Sequence, residues 1–512
     1  MTFVERLNEI MGNEGTGNAD DTEIKSEQIV AWVQSGPSDD VDAALAALLH
    51  APASEWHENA TAASSLLVGF IRRQADQPMA VQPSEIDAIR EIMPQLSDYP
   101  ALQCLLLRAC IATRQDAALH IFSESLAAAS LTPRNHIELF GDLVRAGGSV
   151  VDAMFPSLLE GLAKPGLASF VLDYANFALR NQFVDTHPAA DRTSELISLL
   201  SNLADRLQQL QDKPPETEEE TLQRGKQVTE SVALAVALCD ALGSIGDTEA
   251  IGSLNKALGV HHRRLRVEAA AALARLDVDD AKKLLTAMAA EPIERLRVLA
   301  YAEELDLLDD VEEEFANIVA RAEAEFVMYL AQPDKMAIAP QHIELLDQCE
   351  LAWPGYEEPR NCFLFQFVYQ FPDAEFTNVG IAGPVVMTFD ADLTFLSRED
   401  IYALFAGWHV QHHDIHAVEA HRTAGQDQIL MHRLLGSLTD AEEYEDVQPS
   451  LLGTLLDRKF LIAAARRKEE SGWAIVSEDS IGWLPLGNPE RPLGAGEAFY
   501  LFVGRSLLKS FN

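Results

Sequence analysis

The sequence predicts a mainly α protein, an α-solenoid of helical repeats followed by a smaller α+β domain. Three observations carry this. Leu234, Leu265 and Leu296 stand 31 residues apart, as do Val236, Val267 and Val298, and also Ile245, Leu276 and Leu307, with Ala271 and Ala302 keeping the same step. Residues 42 to 211 read as successive amphipathic helices with apolar side chains three and four apart. After Ala331 the Ala/Leu texture gives way to aromatics punctuated by Gly and Pro. There Phe363, Phe365, Phe367, Tyr369 and Phe371 fall on one face of a strand and Leu364, Gln366, Val368 and Gln370 on the other.

Taken in order, residues 1–41 are expected to hold an N-terminal helix and a flexible linker, polar from Asn13 to Asp21. The start has acidic residues and no apolar core of a signal peptide. Residues 42–211 form an irregular helical-repeat region, with apolar stretches at Ala101–Ile111, Leu139–Val144, Met154–Leu162, Phe170–Leu179 and Leu196–Leu210 that share no fixed period. Residues 212–222 are expected to be an exposed acidic loop, because adjacent prolines stop a helix and clustered carboxylates need water. Residues 223–340 hold the regular repeats. In these, the alanines of Leu265–Leu273 allow close helix approach, a turn spans Asp277 to Asp280, and a second helix follows from Ala281. One repeat earlier Gly246 stops a helix and Asp247 caps the next.

This pattern resembles HEAT repeats, in particular the short variety of phycobilisome-lyase-type proteins. Their units combine a Leu-Arg-Val-like start, an Ala-rich helix and a Gly-Asp-x-Glu-Ala turn, matched here by Leu265-Arg-Val267 and Gly246-Asp-Thr-Glu-Ala250. The resemblance departs in the third unit, where Glu303 and Glu304 stand in place of Ala272 and Leu273. It implies a stacked helical surface. Many unrelated functions use that surface, so the resemblance carries fold and not activity.

Residues 345–512 are expected to be a compact α+β domain. Beyond the aromatic strand, a second strand is expected from Pro384 to Ala391 and a hairpin from Trp473 to Leu486 turning near Asp479. Helices are expected over Arg398–His412, Pro449–Arg467 and Gly496–Ser510, the first opened by a capping box of Ser397 and Asp400. If the aromatic face packs wholly against the C-terminal helices it is core; an open aromatic cleft facing the repeats would point to a ligand.

Charge narrows the partners. Lys and Arg number 39 against 80 Asp and Glu, a formal net charge of −41, which repels nucleic acid and anionic membrane surfaces. A protein or peptide partner, neutral or basic, is expected. The five cysteines form no CxxC pair and read as core thiols of a reduced compartment. No run approaches the roughly 18 apolar residues of a membrane helix. The expected location is cytoplasmic.

Two residue sets could form sites. Arg263, Arg264 and Arg266, with Arg295 and Arg297 in the next repeat, could bind a partner's carboxylates, Arg266 and Arg297 keeping the 31-residue step. The competing role is internal pairing between turns. On one continuous helix His409, His412, His413 and His416 would share a face and could grip a metal; histidines on a polar and apolar boundary are the duller reading. No cofactor is expected, the histidine metal being the minority hypothesis. Glycines within Asn378–Val385 lack the P-loop Lys and read as a turn between strands. His57-Glu58, His136-x-Glu138 and His342-x-Glu344 do not supply the repeated His-Glu dipeptides of HEAT-like hydroxylases. The leading expectation is therefore a non-enzymatic scaffold acting through the solenoid surface. The alternative is an enzyme or chromophore- or ligand-handling protein with its site between the solenoid and the C-terminal domain.

Overall fold

The structure is a computed structural model and describes residues 3–10, 22–212, 217–353, 355–372, 374–390, 392–394, 396–409, 415–418, 425–441, 443–455, 458–477 and 480–485. It is mainly helical, with antiparallel sheets toward the C-terminus. Two compact units divide at Thr286/Ala287, inside the segment assigned to regular repeats.

The first unit opens with α1 (Phe3–Ile10), α2 (Thr22–Ser35), α3 (Ser38–Leu49), α4 (Ala53–Glu58) and α5 (Ala60–Asp76). It continues with α6 (Pro83–Ile92), α7 (Pro100–Thr113), α8 (Asp116–Leu126), α9 (Pro133–Ala146), α10 (Val151–Met154) and α11 (Pro165–Arg180). The last five are α12 (Thr193–Asp212), α13 (Glu218–Ile245), α14 (Ile251–Leu258), α15 (Arg263–Arg275) and α16 (Asp279–Ala287). Each member of the series α2, α5, α7, α9, α11, α13 and α15 packs on the next; α3, α6 and α8 pack in succession, and α12 packs on α14. One continuous apolar core results, from Leu7 to Ala281. Each fully buried leucine in it, such as Leu106, Leu200 or Leu265, contributes about 1.5–3 kcal/mol.

Several boundaries differ from those expected. The polar linker expected at Asn13–Asp21 lies outside the described residues; α2 begins at Thr22 and α3 at Ser38, ahead of the expected start of the helical region at residue 42. The acidic loop is shorter than 212–222. α12 runs to Asp212, residues 213–216 lie outside the described set, and α13 begins at Glu218 under a Thr217 cap whose Oγ1 accepts from the Glu220 N–H at 3.1 Å. Carboxylates in a first turn favour the helix there, because the N-terminal dipole attracts them. α13 also corrects the reading of membrane-length segments: by length and composition Glu219–Ile245 could cross a bilayer, and 61% of its apolar window is buried inside the protein.

The repeat itself slips. Gly246 and Asp277, 31 residues apart, both take left-handed backbone after their helices. The next helix of the second unit, α17 (Pro292–Glu304), starts and stops 29 residues after α15 rather than 31. Pro292 sets this start, since proline fits the first helical position, where its missing N–H costs nothing. By position in the helix, Arg295 and not Arg297 corresponds to Arg266.

After α17, the second unit holds α18 (Glu313–Ala316) and α19 (Ile318–Leu330), then an antiparallel sheet of β1 (His342–Leu351), β2 (Arg360–Phe371), β3 (Ala374–Ala382) and β4 (Met387–Thr388). Next come α20 (Arg398–His409), β5 (Ile415–Ala417) and α21 (Gln426–Asp440). A second antiparallel sheet contains β5, β6 (Glu445–Leu455), β7 (Arg458–Arg467), β8 (Glu470–Ser477) and β9 (Ile481–Pro485), in that order. The alternation of the aromatic strand holds. Phe363, Phe365, Phe367 and Tyr369 are buried in one cluster with Ala322, Phe326 and Leu330 of α19, a helix from the segment assigned to the repeats, so this part of the face is core, while Phe371 at the strand's end is 44% exposed. Cys362 and Leu364 on the other face join α20 and the second sheet through Ile401, Phe405, Phe460, Ile462 and Trp473. The far face of that second sheet, with Leu452, Leu461 and Ala474, packs on Leu434 and Leu438 of α21.

The helix expected over Pro449–Arg467 is instead the hairpin β6–β7, with Leu452 opposite Leu461. Both faces of this hairpin are covered, so its apolar residues run without a gap and mimic a buried helix. The strand expected over Pro384–Ala391 shortens to Met387–Thr388. The expected hairpin near Asp479 is β8–β9, closed by Ser477 N–H to the Ser480 carbonyl at 2.9 Å. The helix expected over Gly496–Ser510 lies outside the described residues. Asn378–Ala382 is not a turn but the end of β3. A Cβ on Gly380 would lie 2.2 Å from Phe326 Cζ, so glycine is required there by close packing on α19.

Candidate functional site

Three successive neighbours of the first unit, α11, α13 and α15, place charges of both signs side by side. Asp240, in the middle of the apolar run of α13, is the centre. Its Oδ1 accepts from Arg180 Nη2 of α11 and, at 3.2 Å, from Arg275 Nη1 of α15. The Asp240 side chain is 8% exposed, Arg275 10% and Arg180 40%, so one end of the triad is dry and the other reaches water. A carboxylate buried this deeply is tolerable because two guanidiniums satisfy it.

Asp173 extends the set toward solvent. Its side chain is exposed, yet protein surrounds it enough that desolvation, reinforced by Asp240 and Glu268 and opposed by Arg264 and Arg180, raises its carboxyl to about 6. Glu268 of α15 is buried. The outer part of this ridge therefore offers an exposed guanidinium, Arg264, close to an exposed carboxylate.

The segment after α11 is tied to the same helices. Asn176 Nδ2 donates to the Ala237 carbonyl of α13 at 3.1 Å, and Asn176 Oδ1 accepts from His187 Nε2 at 2.9 Å. The Ala189 N–H donates to His187 Nδ1 at 3.1 Å, which fixes the neutral tautomer with its proton on Nε2. Burial then holds the imidazole down at about 4. This segment and α10 line an open cavity of about 440 Å³ with Asp152, Phe155, Phe183 and Asp185 among its walls. Two carboxylates beside two aromatic rings suit a cationic side chain.

The arginines chosen from sequence separate. Arg263, Arg264 and Arg266 are exposed at the start of α15, and Arg264 lies within electrostatic reach of Asp173. Arg295 is not available to a partner. It is 3% exposed, its Nε donates to the Ala289 carbonyl at 2.8 Å, and its Nη groups reach the carbonyls of Ala290 and Ala320 and the Glu323 carboxylate. Its role is internal. Arg297 is exposed and folds over its neighbour Tyr301, donating to the hydroxyl at 2.7 Å.

The histidines do not share one helix. α20 stops at His409, and His416 lies in strand β5, so the helical spacing on which the metal hypothesis rested is lost. His409 Nδ1 accepts from Trp353 Nε1 at 3.1 Å. His412 and His413 lie outside the described residues, and among the described residues no group of three or more potential ligands converges. His57 stacks on Tyr99 and buried His136 sits against Phe170, both as packing partners. The five cysteines are free thiols, four of them buried.

Sequence reasoning missed Asp173, Arg180, Asp240 and Arg275. One signal was present: Asp240 interrupts an otherwise apolar helix, and a lone carboxylate there requires a cationic partner. No family profile matches the chain, and no curated protein matches it.

Proposed function

We propose that the first unit is an α-solenoid of HEAT-like pairs and that the protein is a non-enzymatic scaffold, binding a neutral or basic protein or peptide along α11, α13 and α15. The observation that carries the reading is the mixed-charge ridge, because it runs across three successive helices and ends in exposed Asp173 and Arg264. The serial packing from α2 to α15 supports the solenoid, since such stacking generates extended surfaces. A basic partner is favoured by the net charge of −41 and by the cavity with Asp152 and Asp185. The free cysteines support a reduced, cytoplasmic setting.

The test uses immobilised full-length protein and extract of the source cells. Wild type is compared with Arg264→Glu and Asp185→Arg, exposed positions where charge reversal leaves the core intact. The reading expects a retained protein that both variants lose. It fails if the retained set is the same for all three.

A further inference from the structure

We propose that a cavity of the second unit is a binding site for a small organic monoanion, an aryl or alkyl carboxylate, independent of the scaffold surface. The cavity has a volume of about 500 Å³ and lies beside α19, the start of β2 and the turn after β3. Cavities of this size are typical of small-molecule sites, which combine an apolar wall with a few polar groups. Its apolar wall is made by Ala322 and Phe363, both buried, with Ile318 54% exposed at the rim.

Two guanidiniums that form no ion pair among the described residues line this space. Arg360 lies over the Tyr356 ring at 4.7 Å, and the Tyr356 hydroxyl donates to the Pro384 carbonyl at 3.1 Å, which anchors the stack. Arg321 donates through Nε to the Ala316 carbonyl at 3.2 Å, leaving its terminal amino groups. Among the described residues neither arginine forms an ion pair, in a chain where 80 acidic residues outnumber 39 basic ones. Glu325 also lines the space, and desolvation raises its carboxyl. Two cations against one carboxylate leave the site complementary to a single negative charge. A carboxylate suits it best, because a planar guanidinium binds two carboxylate oxygens at once.

Gly383, at the turn after β3, also lines the space. It has φ +125°, and a Cβ there would lie 2.2 Å from the Asn361 carbonyl oxygen. Glycine is therefore required at this turn by its backbone conformation and by the close approach of the Asn361 backbone.

Isothermal titration calorimetry of the full-length protein with benzoate, 2-naphthoate and decanoate tests the site, with neutral 2-naphthylmethanol as the uncharged control. At least one carboxylate is expected to bind saturably with one site per chain. Its affinity should fall about tenfold or more in Arg360→Gln and in Arg321→Gln. Because Arg321 also braces the start of α19, the exposed Arg360 is the deciding variant, with melting temperature as the folding control. The proposal is overturned if none of the three binds up to about 5 mM, if Arg360→Gln binds as tightly as wild type, or if the alcohol binds as well as the acid.

Discussion

Acid should loosen the first unit at His187, and the structure fixes both the direction and the size. The ring is 4% exposed, and its Nδ1 already accepts the Ala189 N–H, so a second ring proton would meet a donor head-on. Burial holds the folded value at about 4, against 6.5 in an unfolded chain. Above pH 6.5 the ring is neutral in both states and costs nothing. Between 6.5 and about 4 the unfolded chain takes up the proton and the folded one does not, so stability falls as pH falls; below about 4 the loss is complete. The gap corresponds to about 3 kcal/mol for the whole transition. Histidine C2 hydrogen–deuterium exchange read by mass spectrometry reports each imidazole separately. It should find His187 titrating well below 6.5, and thermal unfolding of His187→Gln should depend less on pH between 7 and 4.5 than wild type does. A His187 value near 6.5, or equal pH dependence in the two proteins, would refute the reasoning.

Three further substitutions probe packing and charge. Arg295→Ala should cost about 3–5 kcal/mol, as expected for breaking a buried ion pair, whereas exposed Arg297→Ala should cost under about 1 kcal/mol; calorimetry that finds them equal contradicts the internal role of Arg295. Gly380→Ala forces a Cβ onto Phe326 and should destabilise by about 1–3 kcal/mol. In a Phe326→Leu background the same change should cost less, and a denaturation cycle showing no coupling would count against the contact. Asp240→Asn removes the buried charge that Arg180 and Arg275 share and should cost about 2–3 kcal/mol, below the full penalty because Arg180 can turn to water. Urea unfolding that shows no loss would argue against the triad.

Elements with a clear period were legible in the sequence. The aromatic strand alternates from Cys362 to Tyr369 because its two faces meet different partners, Phe326 of α19 and Phe405 of α20. Gly246 and Asp247 mark a helix stop and start through local backbone chemistry, which needs no tertiary information. The β6–β7 hairpin was not legible, since Leu451 and Leu452 are buried on opposite faces and erase the alternation. The repeat register misled at Arg297. Three leucines and three valines kept a 31-residue step while Pro292 started the helix two residues early, which moved Arg295 into the position of Arg266. The ridge was hidden for another reason. Asp240 lies 60 residues from Arg180 and 35 from Arg275, and only helix stacking brings the three together.

The central claim is that a partner docks across α11, α13 and α15. Hydrogen exchange of the full-length protein, with and without the partner retained in the capture experiment, tests it most directly. Peptides covering 172–180, 236–243 and 263–275 are expected to exchange more slowly in the complex, with the Arg264→Glu variant showing no change. Protection confined to other segments, or equal protection in wild type and variant, would contradict the account.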